Sequence, residues 1–146
     1  MRCISTYFWE LREVHKIIQN EPLTNEEQEE IIHAYNQVVN LCRTADTSGI
    51  VIFDMQRMKL NQKSCERILC EFAEHVANNT KPGLFEEVAF SRLLTLPEPP
   101  AYEILIYLMY LRGMYLLSTD LDYISIRVQL RAMLPEKIAV KIAKEA

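Results

Sequence analysis

Asp46-Thr47-Ser48-Gly49-Ile50-Val51-Ile52-Phe53-Asp54 sits between two segments of helical periodicity. A small polar turn closes on glycine, and an apolar, β-branched run comes next. Glycine takes backbone angles that other residues avoid. This order predicts a reversal of chain direction between two helices, with residues 50–53 briefly extended. On this reading the chain is assembled from helix–loop–helix units.

Composition favours helices over sheets. A chain of 146 residues is long enough to bury a real core. Apolar residues make up 49% of it, which argues against disorder. Three glycines are too few for a sandwich of tight turns. The net charge is −4 and no basic block is present, so non-specific nucleic-acid binding, which needs clustered Lys and Arg, is not expected. Cys3, Cys42, Cys65 and Cys70 form no Cys-x-x-Cys pair and no zinc spacing. They read as free thiols of a reducing compartment, so a cytoplasmic or nuclear protein is expected rather than a secreted one. Residues 1–9 lack the apolar centre of a signal peptide, and no leader is expected. Asn78-Asn79-Thr80 matches a glycosylation acceptor, a motif short enough to arise by chance.

Periodicity marks the helices. Phe8, Leu11, His15 and Ile18 recur at helical spacing over about residues 6–19, and Asn20-Glu21-Pro22 ends that segment. Thr24 with Glu27 three residues on is a capping box, and the acidic run 26–30 suits the positive end of a helix. Ile31, Tyr35, Val38 and Cys42 form the buried stripe of this second helix. Asn61 or Ser64 starts the next, with Cys65, Ile68, Leu69, Phe72 and Val76 on its apolar face. Residues 78–83 break it. Residues 84–94 form a short helix with Leu84, Val88 and Leu94 turned to the core.

Residues 101–117 are apolar on nearly every side, which predicts a central helix. The segment is too short for a membrane span and carries Glu103 and Arg112. Gly113 lets a neighbour approach closely, and Ser118-Thr119-Asp120 ends the helix and caps the next segment. Residues 124–131 alternate strictly yet are rich in helix formers, so an extended stretch near 123–125 leading into helix is expected. Pro135 opens a last helix with Ile138 and Ile142 inward. The predicted fold class is all-α: a compact bundle of about seven to eight helices, with very short β segments near 50–53 and 123–126. It forms a single domain, 1–146. The Pro-rich linker 96–100 leaves open two lobes, 1–95 and 101–146.

Leu23-Thr24-Asn25-Glu26-Glu27-Gln28 is similar to the capped opening helix of EF-hand proteins. The stretch from Asp46 to Phe53 resembles their loop, with glycine sixth and an apolar residue eighth. Gly83 stands 34 positions after Gly49, similar to a paired-hand repeat, and Tyr123-Ile124-Ser125 resembles a third pairing segment. Together these resemble a degenerate member of the EF-hand superfamily, of the calmodulin and myosin-light-chain type, over residues 23–134. The ligand places depart from that pattern. The first loop offers Thr44, Asp46 and Ser48 and closes on Met55. The second offers Asn78, Thr80 and Pro82 and closes on Ala89; the third offers Leu117, Thr119 and Leu121 and closes on Val128. Calcium needs a closing carboxylate, so no calcium is expected. The resemblance implies a helical clamp on a partner helix without the metal switch.

Catalytic chemistry is sparse. Glu30 and His33 have the Glu-x-x-His spacing of di-iron bundles, but they point away from the buried stripe and no second copy occurs, so a solvated face is expected. Glu71 and His75, four apart, suggest a surface ion pair. His15 reads as a partly buried, hydrogen-bonded histidine, and Cys70 falls on a polar side. No catalytic residue, cofactor or metal is assigned. Trp9, on the polar side of its helix, is a candidate anchor for a partner. Met55, Met58 and Met109 are candidates to line an adaptable groove, and the four tyrosines of the central helix are core or groove lining. The function expected is a non-enzymatic adaptor holding an amphipathic helix or peptide of another protein in an apolar groove. Two alternatives stay open. One is a self-associating structural or regulatory bundle, viral and pathogen types included, in which a homodimer forms. The other is an enzyme with a dispersed site.

Overall fold

Seven α-helices and no strand are present among the described residues, which are 4–48 and 64–145 of a computed structural model, with side chains over 11–46 and 65–144. They are α1 (Ile4–Asn20), α2 (Asn25–Ser48), α3 (Ser64–Ala77), α4 (Pro82–Leu94), α5 (Ala101–Ser118), α6 (Tyr123–Ala132) and α7 (Glu136–Glu145).

Local chemistry sets these boundaries. At the start of α2 the Thr24 hydroxyl accepts from Glu27 N–H at 3.1 Å, and Glu27 Oε1 accepts from Thr24 N–H at 2.9 Å. This is the reciprocal cap expected from the sequence. At its other end α2 runs on through Ser48, so Asp46-Thr47-Ser48 is a last helical turn and not the polar turn expected there. The predicted extended run 50–53 lies outside the described residues. Helices α3 and α5 end alike. Asn79 (φ 56°) and Asp120 (φ 64°) take the left-handed conformation. Thr80 N–H then reaches His75 O, and Leu121 N–H reaches Leu116 O, closing the last turn of each helix.

The expected β segment at 123–126 is helical instead. Asp122 sits at the cap position with extended backbone (ψ 155°), and its carboxylate accepts from Ser125 N–H at 3.2 Å and from the Ser125 hydroxyl at 2.7 Å. These bonds satisfy the first turn of α6, so the alternating pattern becomes a helix with Ile126 and Leu130 buried.

Helix α5 is the axis. Ten of its residues are buried, from Leu105 to Leu116, and it packs against α1, α2, α3, α4 and α6, as a helix apolar all round must. Met109 is fully buried there; it belongs to the core and does not line a groove. Ile31, Tyr35, Val38 and Cys42 of α2 are buried as expected. Helix α4 is rotated relative to expectation. Phe85, Ala89 and Phe90 point inward, while Leu84, Val88 and Leu94 are exposed. Phe85 meets Phe72 of α3 edge-on with centroids 5.7 Å apart, and Arg92 grips Glu71 of α3 with two bonds of 2.8 and 3.3 Å. A buried Phe contributes about 1.5–3 kcal/mol, and both phenylalanines of α4 are buried. Among the described residues the buried apolar side chains from Val14 to Ile138, apart from Cys70, form one cluster, and residues 95–100 connect α4 to α5. None of the described helices is long and apolar enough to cross a membrane.

Gly113 sets how closely α5 approaches α2. A Cβ there would lie 2.5 Å from Val38 Cγ1, and Val38 is fully buried and β-branched, so it has little freedom to turn. Overpacking costs about 1–3 kcal/mol, against about 1 kcal/mol of helix propensity gained by alanine. Gly113→Ala is therefore expected to lower the urea midpoint despite its better propensity. The loss should shrink in a Val38→Ala background. An equal loss in both backgrounds would place the constraint elsewhere.

Candidate functional site

One flank of α2 carries Glu26, Glu30, His33 and Gln37, spaced four, three and four apart, so they rise along a single side of the helix next to its buried stripe. Opposite them α3 supplies Cys65 and Glu66. Tyr102, Ile106 and Tyr110 recur every fourth residue along α5 and lie between the two walls, with Glu103 beside them. The result is an open cleft of about 530 Å³. A second hollow of about 400 Å³, between His15, Pro22, Leu23, Leu134 and Pro135, is more apolar and brings together fewer titratable groups. The larger cleft, where polar groups converge on an apolar floor, is the better candidate.

A buried polar chain fixes its inner wall. Glu66 is 8% exposed. Its Oε1 accepts from Gln37 Nε2 at 3.0 Å, and His33 Nε2 stands 3.5 Å from the same oxygen. The Tyr110 hydroxyl donates in turn to Gln37 Oε1 at 3.4 Å. A carboxylate that far from water is tolerated only with such partners.

The mouth of the cleft carries unbalanced charge. Glu26, Glu29, Glu30 and Glu103 line the cleft in addition to the buried Glu66, and no Lys or Arg among the described residues does. Burial raises the Glu103 carboxyl above the usual range, and the neighbouring Glu30 charge raises it further. Burial and a hydrogen bond to Glu30 push the Tyr102 phenol up to about 12. Burial also raises the Cys65 thiol, more than its bond to the Tyr107 hydroxyl (3.8 Å) lowers it. A raised thiol is a poor nucleophile. The arrangement is suited to holding positive charge against an apolar surface. Among the described residues no group of three or more His, Cys, Asp or Glu is placed to hold a metal ion.

The residues singled out from sequence fall in several places. Glu30 and His33 line the cleft and do not form a purely solvated face. Glu71 bonds to Arg92, while His75 shares a hydrogen bond with Thr80 (3.3 Å), so the expected Glu71–His75 pair does not form. Cys70 is buried, contrary to its expected polar position. His15 is half-buried and donates from Nε2 to Met133 O at 2.7 Å, as expected. Trp9 lies in α1, but its side chain is outside the described residues, as are Met55 and Met58. Sequence reasoning missed Gln37, Glu66 and Glu103. The spacing of Glu30, His33 and Gln37 is a usable signal, whereas a glutamate in the first turn of α3 reads only as dipole compensation. No protein-family model, curated protein or solved structure matches the chain.

The raised Glu103 carboxyl has a consequence for stability. The folded chain holds that proton more tightly than the unfolded chain. Its contribution is therefore fully favourable below the unfolded value near 4.5 and is lost as pH rises through the higher folded value. Glu103→Gln removes this titration. Its stability relative to wild type is expected to increase between pH 4 and pH 7, measured by urea unfolding at each pH. A difference independent of pH would show that Glu103 is not perturbed.

Proposed function

We propose that this chain is a non-enzymatic interaction module, an adaptor that holds an amphipathic helix or short peptide of another protein in the cleft between α2, α3 and α5. One observation carries the reading: the cleft joins an apolar, aromatic floor to a glutamate-lined mouth to which no described Lys or Arg contributes. A helix laid in a groove buries its apolar side and leaves its polar flanks at the rim. Here the matching partner presents apolar residues to the partly exposed Tyr102, and Lys or Arg to Glu26, Glu29 and Glu30. Opposite charges 4 Å apart attract by about 1 kcal/mol in water and about 4 kcal/mol at an effective dielectric of 20. The glutamates at the mouth therefore favour cationic partners and fast encounter, and Tyr102, the partly exposed ring of the floor, supplies apolar contact. The Cys65 thiol, raised by burial, gives nucleophilic catalysis no comparable support.

The test uses a designed amphipathic helix of leucine and lysine and its counterpart with glutamate in place of lysine. Calorimetry is expected to show binding of the lysine peptide alone, with NMR shift changes confined to the cleft. Glu29→Lys/Glu30→Lys should weaken it at least about tenfold. Equal binding of both peptides, or shifts spread over the whole surface, would overturn the proposal.

A further inference from the structure

We infer that a second copy of this chain is an occupant of the cleft, entering it with the exposed ridge of α6. The inference rests on the cleft being a docking surface. Ile124 and Val128 of α6 are 50% and 51% exposed, and Arg127 and Arg131 are exposed beside them. At about 100° per residue these four side chains fall within one arc of roughly 100°, opposite the buried Ile126 and Leu130. The ridge is thus an apolar pair bordered along one side by two guanidinium groups, the complement of the Tyr102 ring beside the glutamates of the cleft.

The ridge is out of reach of its own cleft. Helix α6 packs on α2 and α5, and its arginines lie near Tyr35 of α2. The cleft opens on the other flank of α2, where Glu30, His33 and Gln37 stand. Only another molecule can bring the two surfaces together. The contact then joins the cleft of one copy to the ridge of another. The net charge of −4 on each copy opposes encounter at long range. The association is therefore weak and concentration-dependent, and a cationic partner helix competes with it for the cleft.

Sedimentation velocity over a wide concentration range tests this with two variants: Glu29→Lys/Glu30→Lys in the cleft and Arg127→Glu/Arg131→Glu on the ridge, both checked for unchanged helicity. Wild type is expected to show a sedimentation coefficient that rises with concentration. Each variant alone should associate at least about tenfold more weakly. An equimolar mixture of the two should associate again, because one brings an intact ridge and the other an intact cleft. That recovery cannot come from misfolded chains. Wild type that stays monomeric to millimolar concentration overturns the inference, and so does association untouched by either variant or a mixture that fails to recover. A monomeric wild type that still binds the leucine–lysine helix removes this inference alone. A chain that binds no such helix and does not associate removes the docking reading as well.

Discussion

Burial of α5 on every side is the constraint on which the rest of the structure depends. A helix with apolar residues around its full circumference has no face to give to water, so other helices must cover it. Gly113 lets α2 cross it at close range, with Val38 where a side chain would otherwise stand. The remaining walls, α1, α3, α4 and α6, then fill the space left around the axis.

The site grows out of the same constraint. Helix α5 carries tyrosines along its buried length, and a buried hydroxyl needs a partner. Tyr110 finds Gln37, and Tyr107 accepts from Cys65. Gln37 in turn holds Glu66, which brings a carboxylate into the seam between α2 and α3. The acidic cleft is thus continuous with the core, and its inner wall is held by side chains whose own positions are set by α5. Glu30 and Glu103, close enough to raise one proton affinity, are left in mutual repulsion at its mouth. Such local conflict in an otherwise consistent fold is what a binding surface for positive charge would retain.

Much of the fold was legible residue by residue. The Thr24–Glu27 cap, the stripe of α2, the all-round burial of α5 and the role of Gly113 each come from short-range rules and were found where those rules put them. Three features departed from expectation. Helix α2 continues through Asp46–Ser48, where the EF-hand resemblance placed a loop. The alternating run 124–131 became a helix because Asp122, two residues beyond the expected cap, satisfied its first turn. Helix α4 turned its phenylalanines inward because Phe72 and Glu71 of α3 offered a ring and a carboxylate. The cleft was half legible: the Glu30, His33 and Gln37 spacing is written in the chain, but nothing local says that Glu66 and Glu103 stand across from it.

The axial role of α5 can be read directly by native-state hydrogen exchange. If α5 organises the bundle, amides over residues 105–114 exchange only through global unfolding and share one free energy, equal to that from urea denaturation. Those of α7, at the edge, exchange faster through local opening. Amides of residues 105–114 exchanging as readily as those of α7 would contradict the account.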